Sequence, residues 1–535
     1  MELESFVLQN GNKVMQAYNH DEKFIHNFFD YKNESNSYPE RLEELSNRSF
    51  LREELANVIK TFMEPFGISD KAAQHIGELA ENGVVVIGGQ QAGIMTGPLY
   101  SVHKAITVIL LAEMKRKELG VPVIPVFWVA GEDHDLNEIN HVYTETSGMV
   151  TKHKYREKYI LKLMASDAEY SHEMMTTFVK DTFRQFGETE HTKALLDEVL
   201  TAVRMETTLT GFFVRLMNDL FSEHGLLLID SAYKPLRELE KSHFSDLIQE
   251  AENIAKMIAS KEEEFDALGF GKPIEAEYDA ANLFYVHETG RVLLTRDDGY
   301  FVNSSAGIRF TTDELLKVAS EEPWLLSNNV ATRPIMQDLV LPVLAFVGGP
   351  GEIAYWALLK DAFHHLGIKM PILVPRISIT LITPQAQQAM TDVSMSLSDV
   401  LSGKVQEERE QFIGTLHNER FEDLIRETET LLESKYSELA SATDRSMEQL
   451  LQKNLEFHKK QLDFLRNKAE ESILIKHDVA LRKYRILENE LIPEGSLQER
   501  IYTPYTFMNQ YGTKLVRDLL RQPLKMDGTH QIVYL

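Results

Sequence analysis

GVVVIGGQQAG, Gly83 to Gly93, is the stretch whose reading decides the fold. A β-branched apolar run ends there in glycines and two glutamines, the pattern of a buried parallel strand running into a tight turn. The text that follows, PLYSVHKAITVILLAEMKRKELG (98–120), carries apolar residues at helical spacing and closes on Gly120 as a C-cap. VPVIPVFWVAGEDHD (121–135) is then a second apolar strand ending in a polar cluster. Strand, turn, helix and strand make a βαβ unit, which implies a parallel sheet covered by helices. The same grammar returns in LPVLAFVGGPGEIAYWALLKDAF (341–363). HGLLLID (224–230) reads as a third core strand and PILVPRISIT (371–380) as the last one.

Outward from these strands, the chain reads as an α/β protein: a Rossmann-like parallel-sheet core with inserted connecting segments and a long α-helical coiled-coil domain. Residues 1–80 are expected to be an N-terminal helical segment packing on the core, with Arg41, Glu43, Glu44, Arg48 and Arg52 on a solvated face. The first half of the core is 81–145, followed by a mainly helical connecting insertion at 146–222 and a core continuation at 223–265. NLFYVHETGRVLLTRDDGYFVN (282–303) alternates and turns, so 266–315 is expected to be a small antiparallel β insertion. The second half of the core is 316–385. From Lys404 to Ile492 there is no proline and one glycine, Gly414. Ile425, Leu432 and Leu439 lie seven apart, as do Leu450, Phe457 and Phe464, so 386–492 is expected to form a coiled-coil arm or a long helical pair. An arm exposing such a seam usually buries it against a second copy, so a homodimer is expected. The C-terminal stretch, 493–535, is read as a helix returning to the body.

Composition narrows the function. The 535 residues hold 82 acidic and 56 basic side chains, a formal charge of −26. Such a surface repels phosphate backbones and anionic lipid, so neither nucleic acid nor membrane is an expected partner. There is no cysteine, which excludes a disulfide, a thiolate nucleophile and a Cys-based zinc site. MELESFVLQNGNK lacks the basic-then-apolar pattern of a signal peptide, and the run Val121–Ala130 is too short to span a bilayer. The expected location is the cytoplasm.

Three glycine-ended strands place candidate residues at one edge of the sheet, where open α/β sheets bind ligands. The first group is Gly88, Gly89, Gln90, Gln91 and Gly93 with Thr96 and Gly97. Its glycines let backbone N–H groups approach an anion or nucleotide, and its glutamines can read a polar ligand from donor and acceptor sides. No Walker A loop or GxGxxG is spelled. Lys104 can pair with phosphate or carboxylate and His103 can stabilise developing charge, although a surface lysine and a partly buried histidine are the preferred reading on position alone. The second group is Glu132, Asp133, His134 and Asp135, whose density of carboxylates suits Mg²⁺, an amino group or proton transfer. The third is Gly349, Gly351 and Glu352 after Gly348, with Tyr355 following. Asn329 and Arg333 lie just before that strand, and the planar fork of Arg333 suits a carboxylate or phosphate. His364 and His365 are adjacent on a helix and make a poor metal pair.

PLYSVHK resembles a degenerate P-x-H-x-G-H signature of class I aminoacyl-tRNA synthetases and related nucleotidyl transferases. Tyr100 and His103 stand at its two histidines, Val102 replaces its glycine, and Arg376-Ile377-Ser378 is at best a remnant of the K-M-S-K-S loop. The closer resemblance joins GGQQAG, TGPLY, His103-Lys104, PVFWVAGEDHDLNEI, NNVATRP, AFVGGPGEI and QERIY…NQYG. Together these are similar to the bacillithiol-biosynthesis cysteine ligases of the BshC family. That resemblance implies a Rossmann core with connecting insertions and a coiled-coil domain that pairs two subunits. It implies a ligase joining L-cysteine to the amine of glucosaminyl-malate, with ATP as the expected activating nucleotide and Mg²⁺ its companion. Asp133, His134, Asp135 and His103 are then the expected catalytic group. Gly88, Gly89, Gln90, Gln91, Gly93, Thr96, Gly97 and Lys104 are expected to hold nucleotide. Tyr100, Glu132, Asn329, Arg333, Gly349, Gly351 and Glu352 are expected to hold substrate, with Arg333 on the malate carboxylates. A nucleotidyl transferase acting on another acid and a non-catalytic coiled-coil scaffold are the alternatives.

Overall fold

A computed structural model of the protein describes residues 1–8, 12–159, 161–416 and 418–535. The chain divides into two compact units: Met1–Leu381 with Gln498–Tyr534, and Ile382–Leu497 with Leu535. In chain order the strands are β1 (Glu2–Phe6), β2 (Val84–Gln90), β3 (Val123–Val129), β4 (His141–Thr146), β5 (Met149–Lys154) and β6 (Leu227–Asp230). They continue with β7 (Ala280–His287), β8 (Gly290–Asp297), β9 (Tyr300–Asn303), β10 (Ile308–Thr311) and β11 (Leu326–Asn328). The last are β12 (Val343–Gly348), β13 (Ile372–Pro375), β14 (Ser378–Ile382) and β15 (His530–Tyr534).

The first unit is built on a five-stranded parallel sheet ordered β13-β12-β2-β3-β6. Read as first to fifth core strand, this is the doubly wound order, and it reverses between β2 and β12. Every residue of β3 is buried, so the strand reads as a continuous apolar run. Alternate residues, Val85 and Ile87 of β2, Ile124, Val126 and Trp128 of β3, and Leu227 and Ile229 of β6, join one large apolar core. That core also takes in Leu55, Ile59 and Met63 of the N-terminal helices. Helix α1 (Leu99–Leu119) connects β2 to β3, lies against both, and ends on the left-handed Gly120.

The structure corrects several boundaries. Among the described residues, the N-terminal segment opens on β1, which pairs antiparallel with β15, and continues in five α-helices from Lys13 to Glu81. Arg41 is not on a solvated face: it is fully buried and ion-pairs with Asp338, as does Arg48. The 146–222 insertion starts inside a β4–β5 hairpin before its helices. The antiparallel insertion is a five-stranded sheet, β10-β9-β8-β7-β11, whose β11 lies beyond the expected boundary at 315. PILVPRISIT is two strands, because Arg376 and Ile377 break it: β13 closes the parallel sheet, while β14 joins β1 and β15 in a separate sheet. The C-terminal stretch is a 3-10 turn and three short α-helices followed by β15 rather than one helix.

The second unit contains helices α5 (Glu419–Ser441) and α6 (Glu448–Lys476), which pack together. For the core's remaining helices the labels are α2 (Lys234–Leu239), α3 (Thr332–Val340) and α4 (Pro350–Trp356). The ion pairs Lys459–Glu433 and Arg466–Glu422 run in opposite chain directions, so the two arm helices form an antiparallel hairpin. Ile425 is buried within this unit, but Leu450, Phe457 and Phe464 are 57 %, 55 % and 58 % exposed.

Candidate active site

A cleft of about 740 Å³ opens at the carboxyl edge of the parallel sheet, over the point where the strand order reverses. Gly89, Gln90 and Gln91 line it from β2, Glu132 to Asp135 from the loop after β3, and Gly349, Gly351 and Glu352 from the turn into α4. Tyr100 and Lys104 of α1, Asn329, Arg333 of α3, and Tyr355 of α4 complete the part foreseen from sequence. The antiparallel sheet contributes Phe284 of β7 and Arg291 of β8, and the segment after β13 contributes Arg376. Arg500, far away in sequence, also lines the cleft.

The loop after β3 is held by its neighbours. Gln91 Nε2 donates to Asp133 Oδ2 at 2.7 Å and to Glu138 Oε2 at 2.8 Å, and the Asp135 N–H donates to Asp133 Oδ1 at 3.1 Å. Burial opposes ionisation of Asp133, but the Gln91 and Asp135 donors prevail and hold its carboxyl below the usual range. His134 meets the Phe284 ring edge-on and lies 3.3 Å from Arg291 Nη1. Burial and then the Arg291 charge hold the His134 imidazole below its ordinary pKa. Asp135 is exposed. Glu132 borders the cleft but is buried in an ion pair with Arg237 of α2, which also holds Glu240 at 2.6 Å. Burial pushes the Glu240 carboxyl up to about 7.

The cations divide into paired and unpaired groups. Lys104 is buried, and its three N–H donors meet Gly89 O at 2.6 Å, Gln90 Oε1 at 3.2 Å and Glu352 Oε2 at 2.5 Å. Burial lowers its pKa against the pull of Glu352. Glu352 Oε2 also accepts the Gly349 N–H at 2.8 Å, capping α4. Arg333 Nη2 reaches Tyr355 Oη at 3.2 Å, and Arg291 is held by neutral groups; among the described residues neither guanidinium has a carboxylate at ion-pair distance.

Some expected residues do not reach the cleft. His103 is fully buried beneath it, with Nδ1 2.8 Å from Glu499 Oε2. Burial lowers its pKa against the pull of Glu499, and the bond to Glu499 makes it an anchor for the C-terminal segment rather than a group facing a ligand. Gly88 is packed on the Lys104 and Val108 side chains, and a Cβ on Gly89 would stand 2.5 Å from Trp128 O. Gly93 and Gly97 cross so closely that a Cβ on Gly93 would stand 2.7 Å from Gly97 Cα, and Thr96 is wholly buried. These glycines serve close backbone packing, although Gly93 and Gly97 border a small adjoining pocket with Tyr100 and Arg500. A Cβ on Gly351 would meet nothing within 4 Å, so that position is open to a ligand. Asn329 caps α3: its Oδ1 accepts the Ala331 N–H at 2.9 Å and the Thr332 N–H at 3.1 Å.

Arg291, Glu499 and Arg500 were not singled out by the sequence reading. Glu499 accepts from His103, from both ends of the Arg376 fork at 2.7 and 2.8 Å, from Ser378 Oγ at 2.7 Å and from the Ile379 N–H at 3.2 Å. The motif QERIY marked the segment without giving it a task. Among the described residues no group of three or more His, Asp or Glu is arranged to hold a metal ion, and no helix is long and apolar enough to cross a membrane.

Residues 1–377 match the family model described as bacillithiol biosynthesis BshC, N-terminal Rossmann-like domain, and 379–535 match its C-terminal coiled-coil domain. A Lysinibacillus sphaericus protein named "Putative cysteine ligase BshC" is 44 % identical over 538 residues, covering 100 % of both chains. A Bacillus velezensis protein of the same name is 36 % identical over 541 residues, again covering 100 % of both. A Campylobacter jejuni structure titled "putative arginyl t-RNA synthetase" aligns over 88 % of this chain and 98 % of its own at 13 % identity, with a TM-score of 0.24 that carries no weight for the fold.

Proposed function

We infer the function from kinship, since the chain belongs to the BshC family of bacillithiol biosynthesis. It is a cysteine ligase: it forms the amide between the L-cysteine carboxyl and the glucosamine amine of glucosaminyl-malate. The observation that carries this reading is the division of the cleft. Arg291 and Arg333, without carboxylate partners, stand in the same cleft as the ionised Asp133 and the neutral His134. One substrate with two carboxylates and an amine matches such an arrangement.

In this reading Arg333 holds the malate carboxylates by its planar fork. The Asp133 carboxylate, kept ionised by Gln91, accepts an N–H of the amine and takes its proton as the C–N bond forms. Tyr100 and Glu352 border the same space. ATP supplies the activation that gives the cysteine carboxyl a good leaving group. Gly89, Gln90, Gly349 and Gly351 fit a nucleotide, and Gly351 in particular leaves room for one. Lys104 fits only by releasing Glu352, because all three of its donors are engaged. Mg²⁺ in this scheme arrives on the phosphates. The exposed Leu450, Phe457 and Phe464 row supports a homodimer through the arm, and the reaction is assigned to the cytoplasm.

Purified protein incubated with glucosaminyl-malate, cysteine and Mg-ATP, and analysed by mass spectrometry, is expected to yield bacillithiol only when all three are present. Product without ATP would remove the nucleotide from the scheme. Absence of product, together with normal bacillithiol levels in a strain lacking the gene, would remove the ligase assignment.

A further inference from the structure

Arg291 is among the most firmly held side chains at the cleft. Its Nε donates to Ser327 Oγ at 2.8 Å and its Nη2 to Asn328 O at 2.6 Å, both on β11. Its guanidinium lies 3.6 Å above the centre of the Phe284 ring on β7. Its own backbone N–H donates to Lys162 O at 3.1 Å. The remaining nitrogen, Nη1, points at His134 Nδ1 at 3.3 Å.

A guanidinium has donors and no acceptor, and it stays charged. Burial lowers the Arg291 pKa only to about 10, so it remains a cation at neutral pH. His134 Nδ1 must therefore be the acceptor. A neutral imidazole that accepts at Nδ1 carries its proton on Nε2. A second proton on Nδ1 would set N–H against N–H. The charged groups facing His134 are Arg291 and Lys162, which oppose protonation, and Asp133 and Asp135, which favour it.

We propose that Arg291 is a positioning residue that fixes His134 as an Nε2–H donor, so that His134 stabilises the oxyanion of amide formation and does not act as the base. This rests on the ligase reading above. When the amine nitrogen attacks the activated acyl carbon, the C–N bond forms and the carbonyl π pair moves onto oxygen. The oxyanion accepts the Nε2–H hydrogen bond. Its collapse restores the carbonyl and expels the phosphate-type leaving group with its electron pair. The proton on the attacking nitrogen, now acidic, passes to the Asp133 carboxylate. The antiparallel insertion thus sets the chemistry of a loop that belongs to the parallel core.

Two measurements test this. Nitrogen-15 spectra of the full-length protein with labelled histidine, assigned by loss of the signal in His134→Gln, report the tautomer without any turnover. The expected result at pH 7 is an unprotonated Nδ1 and a protonated Nε2; a proton on Nδ1 would overturn the proposal whatever the reaction proves to be. In the ligase assay, His134→Gln keeps a donor near the Nε2 position and is expected to retain kcat within about tenfold, whereas His134→Ala loses about 10²–10³-fold. Equal loss in both variants would mark His134 as the base and sink the idea. Arg291→Met frees Nδ1, so kcat/KM is expected to gain an acid limb near the ordinary histidine pKa of about 6.5, in addition to the limb that the substrate amine gives the wild type. A raised KM with an unmoved pH profile would leave Arg291 as a substrate or structural contact only.

Discussion

Glu499 shows how much one buried carboxylate can hold. It is 2 % exposed and takes donors from His103, Arg376, Ser378 and the backbone of β14. Burial raises its pKa, but Arg376 and His103 more than reverse this and hold it well below the usual range. A depressed folded pKa adds stability that is complete above the unfolded value of about 4.3 and is lost as pH falls through the folded one. The wild-type melting temperature should therefore drop on acidification below about pH 4.5, and that component should vanish in Glu499→Gln. At neutral pH the same variant strands Arg376 and should lose about 3–5 kcal/mol in denaturant unfolding. At the cleft, Asp133→Asn should lower kcat by about 10²–10⁴-fold with the melting temperature little changed. Asp133 and His134 were legible because a polar cluster ended an apolar strand. Arg291 was not, because a single arginine in a β-meander looks like any solvated one; only its place above Phe284 and beside His134 distinguishes it.

The glycine turns behave differently as elements, although they read alike as text. The end of β2 and the turn after it need their glycines for the protein's own backbone, as the near approach of Trp128 O to Gly89 and of Gly97 to Gly93 shows. The turn into α4 has free space at Gly351. Gly89→Ala should therefore cut the soluble yield and melting temperature, whereas Gly351→Ala should fold normally. Any rise in KM for nucleotide in Gly351→Ala would then report a ligand contact. Sequence periodicity could place both turns at the sheet edge, but it carries no information on what approaches a missing Cβ. In the arm, the period of seven located both apolar rows; in the first, Ile425 is buried, Leu432 half-buried and Leu439 exposed, and the second is exposed throughout. The Phe457→Asp, Phe464→Asp double variant should shift the protein from dimer to monomer in sedimentation, with the far-ultraviolet helical signal retained, because both rings are already exposed to solvent. A wild-type monomer would remove the dimer reading.

For the whole molecule, the parallel core was readable because each of its strands is a local apolar run followed by a turn. Pairings between distant segments left no such local mark. The β1–β15 ladder joins Glu2 to Tyr534 and Phe6 to His530, and in the three-stranded sheet β15 is central, between β1 and β14. Removing residues 530–535 should therefore uncover two strand edges at once and lower the melting temperature, not merely trim a tail. The ordering has a further consequence in time. The arm, residues 382–497, is one continuous stretch, whereas the unit containing the cleft needs β1, residue 499 and β15 together. On the ribosome the arm can complete its own hydrogen bonds while β1 still lacks its partner strand. The cleft's Arg376 clamp can close only after Glu499 has left the exit tunnel, so a nascent chain halted within the arm carries an unfinished cleft.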